Sequence, residues 1–514
     1  MEFIERNINN IDHEICIIGT GPAGAVIASS LLKRGHKVLI IEFGSDNKIL
    51  DNSFGINSIK SNGHLMNIGR SFMYGGTSND WSGRIVKPDM IDFQERGWVS
   101  DFSSPIKYDQ ISNYFDEALN ILGISKKPSY SFKDSKINFI FNQSQFTIKN
   151  SYYANKKFNA AEYLDNHIFN NPNITIKKNI RALRFLQKSK DRIDSVEVCN
   201  SYGEKFKIKS SNFVLACGGI ENTRILFNSN NIFKEGLGNG SNLLGKFLST
   251  HPKANVGFVS LKNKIDINNP LFIDYQTKFG KLRSSISLKH NSQIKFKLLN
   301  HQLQLCPISN LSFNRTLGLF KKNKTLSDNN LKGLDLEINL RDQISDIKDR
   351  IFIFKNKHTI KYNHFVIRGF FDQYPSELCL IKKSSIKDLE GVNMVDIDWS
   401  YSKRDILSIS KYLKLLDKEI REKNIGKVFY KDFKQNKFQC NFLHSHFIGT
   451  TRMGTNERNS VCDKFGRIHG ISNLWISGPS IFSNYGFANP TLNIVSIALY
   501  QAEHISDKLK NEKQ

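Results

Sequence analysis

"EICIIGTGPAGAVIASSLLKRGHKVLIIEFG", residues 14–44, decides how the rest of the chain is read. "ICII" is a short apolar run of the kind that forms a parallel strand buried on both faces. Gly19-Thr20-Gly21-Pro22-Ala23-Gly24 follows as a G-x-G-x-x-G, then the helix-compatible "AVIASSLLKRG", with Gly35 in the C-cap position. "KVLIIE" is a second buried strand ending in Glu42. Gly19 permits the tight turn, Gly21 the approach of a pyrophosphate and Gly24 the close packing of helix on strand. The helix start, where Pro22 fits the first turn and Ala23 follows, offers its free N–H groups and positive dipole end to phosphate. Glu42, 18 positions after Gly24, is placed to accept from both ribose hydroxyls and disfavours a 2′-phosphate. The spacing therefore predicts a site for an adenine dinucleotide, FAD or NAD rather than NADP.

Working outward, "GRSFMYGGTSNDWSGR" (69–84) sets Gly75, Gly76, Thr77, Ser78 and Asn79 in a turn whose main chain can lie against a flat ligand. "NFVLACGGIENTRILFNS" (212–229) reads as a later strand of the same sheet, turning at Gly218 beside the cofactor. "IDSVEV" (193–198) reads as a sheet-edge strand. Near the C-terminus, "HSHFIGTTRMG" (444–454) holds two histidines one residue apart. In an extended segment His444 and His446 project to opposite sides, and no third ligand is near in sequence, so no metal site is expected. "NLWIS" reads as a strand. "FANPTLNIVSIALYQAEHI" (487–505) reads as a turn into a helix, with Asn489 placed to cap and Pro490 and Thr491 in the first turn. A helix start aimed at a ligand stabilises developing negative charge.

The chain has 514 residues, enough for two or three domains or one large domain with an interwoven partner. Its formal charge is +25, but basic runs such as "FKKNK" (320–324) and "FKNKHTIK" (354–361) are scattered and no nucleic-acid signature accompanies them. No nucleic-acid partner is expected; the charge leaves peripheral membrane contact open. Seven cysteines lie far apart with no C-x-x-C, reading as reduced structural thiols of a cytoplasmic protein. "MEFIERNINNIDHEI" is too polar for a secretory signal, and no run of about twenty apolar residues predicts a membrane span. Without C-x-x-C-H, a haem would have to belong to a separate subunit.

The combination of the cradle, "GGTSNDW", "LACGGIENTRIL", "LLGKFLSTHP" (243–252), "HFIGTTRMG", "NLWISGPSIF" and "NPTLNI" resembles the glucose–methanol–choline (GMC) oxidoreductases, most closely their sugar-oxidising members of the pyranose oxidase and bacterial sugar dehydrogenase type. The resemblance implies an α/β fold, α+β overall. A Rossmann-type FAD-binding domain (1–100, 190–255 and 440–514) would be interwoven with a substrate domain (101–189 and 256–439) built on an antiparallel sheet with helices. It implies FAD-dependent oxidation of a CH–OH group in a sugar, polyol or related alcohol. The family's H-x-x-G-T histidine falls on His446 and its second active-site position on Asn489; His444 is left to a supporting role. His446 would take the hydroxyl proton, as a neutral imidazole suits, and flavin N5 the hydride. Gly478 and the 490s helix start would join the cofactor site. Where covalently flavinylated members carry a histidine this chain has Asp80, which implies noncovalent FAD. Gln373, in "FFDQYP" (370–375), is a candidate pocket residue. Other readings are oxidation of a choline-like or aliphatic alcohol, a non-redox GMC-type lyase, or FAD binding without catalysis. The electron acceptor, whether oxygen, a quinone or a redox protein, is not encoded in these motifs.

Overall fold

The structure, a computed structural model, describes residues 13–512 apart from 50, 52, 63, 65, 67, 101, 132–143, 169–170, 309–360, 431–441, 444–445 and 484–485. His444, Cys440 and the basic run 320–324 lie outside the described residues.

The two strands of the opening stretch are where their composition puts them. Ile15–Ile18 and Val38–Ile41 are buried at every position and pair in parallel. They belong to a five-stranded parallel sheet whose order is 474–476, 212–215, 15–18, 38–41, 174–177. The helix between the first two runs from Pro22 to Lys33. It stops in a Schellman turn: Gly35, at φ +84°, donates to the Leu32 carbonyl at 3.0 Å and His36 to the Leu31 carbonyl at 3.1 Å. The C-terminal helix Thr491–Asn511 packs against it. Helix Gly218–Asn228 follows strand Asn212–Leu215 directly.

Two local expectations change. Strand Ile174–Lys177, inside the segment assigned to the substrate region, is the outer strand of the dinucleotide sheet. The "IDSVEV" segment is the middle strand, Arg192–Asn200, of a separate three-stranded antiparallel sheet, not an edge. Its alternating burial reflects one solvated face rather than a missing neighbour.

The second large element is a nine-stranded antiparallel sheet. Its main order is 426–430, 252–266, 361–370, 302–307, 280–288, 146–153, 84–86. Strand Arg84–Val86, from the N-terminal segment, closes one end of it. Helix Lys403–Glu422 is capped by the reciprocal Ser402–Asp405 pair. Its lysines 403, 411, 414 and 418 are exposed, and Asp405 is buried in the cap. Among the described residues no helix is long and apolar enough to cross a membrane.

Candidate functional site

The parallel sheet and the antiparallel sheet enclose between them a cavity of about 1710 Å³, well above the roughly 300–1,000 Å³ that holds one small ligand. The glycine cradle forms one end. Gly19, Gly21, Pro22 and Ala23 line it, and the space where Gly21 would carry a Cβ is open, with nothing within 4 Å. Gly24 does not line the cavity; a Cβ there would lie 2.1 Å from the Gly19 carbonyl oxygen, so its bareness serves the packing of helix on strand.

Glu42 lines this end, but part of its acceptor capacity is already used. One carboxylate oxygen accepts from the Thr20 N–H at 2.9 Å and the Thr20 hydroxyl at 2.5 Å, the other from the Gly44 N–H at 2.8 Å. The Phe43 N–H acts on the same carboxylate, so little of its capacity of about four acceptor positions is left over. The carboxylate expected to take both ribose hydroxyls is thus already held by the protein's own donors. Burial pushes its carboxyl above the usual range, and these hydrogen bonds oppose that rise. Thr20 passes the order on, accepting from the Gly75 N–H at 2.9 Å.

The second glycine turn thus sits on the first. Gly76, Thr77 and Ser78 line the cavity. Gly75 and Asn79 do not: Gly75 binds Thr20, and Asn79 ties down the turn by donating to the Tyr74 and Gly76 carbonyls at 3.0 and 2.8 Å. Asp80 lines the cavity with its carboxylate paired to Lys48 and Ser71. Gly218 and Gly478 also line it. Beside this end, Glu221 is bound by Arg70 at 2.9 Å and Arg224 at 2.8 Å. Burial raises its carboxyl, but the two guanidiniums outweigh that and hold it at about 2.

The histidine motif arrives from the other side. Ser249 and Ile448 exchange both backbone hydrogen bonds, at 3.0 and 3.1 Å, in an antiparallel bridge. Counting two residues outward on each strand sets His251 opposite His446 on one face. Their Nδ1 atoms are 2.9 Å apart and the rings meet edge-on at 5.1 Å. His446 lines the cavity, and so do Asn489, Pro490, Thr491 and Ile494 at the start of the last helix. Pro490, not Asn489, takes the N-cap position. Proline supplies no capping side chain, and Asn489 is left on the cavity wall instead of serving the helix. Gly219 is held against the histidine loop, since a Cβ on it would lie 2.2 Å from the Phe447 carbonyl oxygen.

Gln373 does not reach the cavity. It is buried, accepting from the Trp399 indole at 3.0 Å and the Ser249 hydroxyl at 3.2 Å. His251 was not singled out from the sequence; its only signal was its place in "LLGKFLSTHP". Also unforeseen is the sheet side of the cavity, where Arg84, Lys253, Arg283 and Arg368 line the wall with Tyr153, Gln304 and Phe370. Among the described residues no three His, Cys, Asp or Glu side chains are grouped to hold a metal.

Residues 375–498 match the family model described as GMC oxidoreductase. The chain is 23% identical over 342 residues to paromamine 6'-oxidase of Streptomyces fradiae, covering 66% of this chain and 53% of that protein. It is 25% identical over 329 residues to the fructose dehydrogenase large subunit of Gluconobacter japonicus, covering 63% and 52%. A shorter match, 36% over 69 residues, is to pyranose 2-oxidase of Tricholoma matsutake, covering 13% and 12%. The chain thus spans about half the length, or less, of these curated relatives. Pyridoxine 4-oxidase from Mesorbium loti superposes with a TM-score of 0.60 at 16% identity, covering 96% of this chain and 99% of that one. Formate oxidase superposes at 0.58 and 14%, covering 97% and 99%. These two likenesses show the fold.

Proposed function

We propose that this chain, whose residues 375–498 match the GMC oxidoreductase model, oxidises a CH–OH group of a sugar or related polyol to a carbonyl, using noncovalently bound FAD. The single observation that carries this reading is the His251–His446 pair. A paired backbone fixes it, and His446 lines the same cavity as Asn489 and the glycine cradle.

The residues present fit the cofactor. Open space faces Gly21 and Gly218, the two glycine turns are locked together through Thr20, and the cavity has room for a dinucleotide and a substrate. Gly19, Gly21, Pro22 and Gly76 would hold the pyrophosphate, Glu42 a ribose hydroxyl, and the start of helix 491–511 the ring. When bound, the flavin supplies the hydride acceptor. Asp80 supports the noncovalent reading: an aspartate lacks the imidazole that forms the covalent link, and its carboxylate is engaged by Lys48 and Ser71.

His446 takes the hydroxyl proton. Only one Nδ1 of the histidine pair can carry the shared hydrogen. With His446 as donor to His251, the acceptor lone pair of His446 stands on Nε2, the atom this reading assigns to the substrate hydroxyl. Asn489 donates its amide hydrogen to the same substrate oxygen and fixes its direction. The N–H groups of the first turn of helix 491–511, which have no partner within the helix, stabilise negative charge that develops at their end of the cavity.

Purified protein should be yellow, and anaerobic addition of a reactive sugar should bleach its flavin band. A colourless protein that takes up no FAD, or a flavin that no sugar or alcohol bleaches, refutes the proposal. Cleavage of a substrate without bleaching would favour the lyase reading.

A further inference from the structure

The sheet side of the cavity carries more positive charge than a neutral sugar can use. Arg84, Lys253, Arg283 and Arg368 all line it, and Arg84 and Arg283 are buried. Register places them on one face of the antiparallel sheet. Lys253 pairs with Phe370, Phe370 with Gln302, and Arg368 with Gln304. Arg283 pairs with Ser151, and Arg84 with Tyr153. Phe370 is the centre: the Arg84 guanidinium lies 4.3 Å and the Lys253 ammonium 5.5 Å from its ring centroid.

Their hydrogen bonds go to neutral groups. Arg84 donates to the Ser151 hydroxyl at 2.9 and 3.1 Å and to the Gln302 carbonyl oxygen at 2.8 Å. Arg283 donates to the Leu305 carbonyl at 3.0 Å. Among the described residues none of the four makes an ion pair with a carboxylate. Of the carboxylates lining the cavity, Glu42, Asp80 and Glu221 are on the dinucleotide side, and the exposed Asp274 stands alone on the sheet side. Asp274 acts on Arg84 through space without pairing to it, which leaves one exposed carboxylate facing four cations; buried cations short of counter-charge are costly, and a ligand that brings the charge offsets that cost. FAD phosphates belong at the glycine cradle, on other elements. Burial, with Arg368 and Arg84 beside it, lowers the Lys253 ammonium to about 8, as expected of a cation lacking an anion.

We infer that this wall is a subsite for an anionic group on the substrate, so that the sugar or polyol oxidised at His446 bears a carboxylate, sulfate or phosphate. Guanidinium groups suit all three, because their paired N–H donors match two oxygens at once. The subsite is close to the reacting end. Lys253 follows His251, the partner of His446, by two residues, about 7 Å along an extended chain, which sets the cations about one sugar unit from the histidine pair. The inference rests on the proposed function for the position of the oxidised carbon; the anion subsite itself stands on the wall alone.

Matched sets test it: a neutral hexose, its uronate, its 6-phosphate and its 6-sulfate, in the gluco, galacto and manno series, assayed with an artificial dye acceptor. At least one anionic member should exceed its neutral parent in kcat/KM by about 10- to 100-fold, with an advantage that shrinks in salt. The three anion types show which group the wall takes. Lys253→Gln and Arg368→Gln should each lower that anionic-to-neutral ratio about tenfold, and Lys253→Arg should keep it. Neutral parents as good as every anionic partner, or a ratio untouched by both glutamine variants, would overturn the inference. If no sugar of either kind reduces the flavin, the proposed function fails, and calorimetry on the His446→Ala holoprotein decides the subsite alone. Tighter binding of an anionic member than its parent supports the wall, and equal or absent binding of all members overturns it.

Discussion

Gly219→Ala is the substitution whose effect follows most directly from the geometry. The new Cβ would lie 2.2 Å from the Phe447 carbonyl oxygen and 2.7 Å from the Phe447 Cβ. Carbon–oxygen contacts in proteins settle at about 3.3 Å or more, so the Phe447 main chain must retreat by about 1 Å. That chain is the one next to His446, and a displacement of about 1 Å at a reacting group costs about 100-fold in rate. Stability should change much less. Overpacking costs about 1–3 kcal/mol, and replacing a helical glycine by alanine returns about 1 kcal/mol. The assays are kcat/KM on the best sugar of a panel, flavin content from the visible spectrum, and a thermal melt. The expected result is a rate loss of about two decades in a protein that still melts cooperatively and still holds flavin. Activity within about threefold of the parent, with an unchanged melt, would refute the packing of helix 218–228 against the histidine loop.

Three further substitutions address separate parts of the account. His251→Ala removes the Nδ1 partner of His446; kcat should fall about tenfold with flavin retained, and an unchanged kcat would mean that His446 is held by something else. Gly24→Ala puts a Cβ 2.1 Å from the Gly19 carbonyl and should yield protein lacking flavin; a normal flavin spectrum would contradict the cradle geometry. Glu221 is held at about 2 against an ordinary 4.5, so its contribution is present above pH 4.5 and disappears as pH falls towards 2. The shift corresponds to about 3 kcal/mol, and urea melts at pH 7 and pH 3 should show Glu221→Gln lacking that acid-dependent loss; identical slopes in parent and variant would refute it.

The dinucleotide half of the fold was legible because each signal there is local. "ICII" and "KVLIIE" can be buried only as inner strands, and Gly24 is required by contacts within six residues of itself. Glu42 lines the cavity, as its spacing led one to expect, but its carboxylate is largely engaged by the protein's own donors. Nothing in the sequence shows that Thr20 and Gly44 fill three of its acceptor positions. Asn489 lines the cavity but does not cap the helix, because a proline that follows a capping residue and a proline that occupies the cap give the same string. His251 was missed since its partner is 195 positions away and only the Ser249–Ile448 bridge brings the two together. The cation wall was missed for the same reason: its members come from four strands, and the chain-wide excess of lysine hides a local surplus. Gln373 illustrates the converse, a polar residue beside a family-like segment whose hydrogen bonds all serve the core.

The central claim is that His446 removes the proton of an alcohol bound in the shared cavity. Rapid anaerobic mixing of a reactive sugar with the parent protein and with His446→Ala, at saturating substrate and matched flavin content, tests it most directly. The account predicts flavin reduction slower by about two to four orders of magnitude in the variant, with its flavin still bound. Equal reduction rates in the two proteins would contradict it.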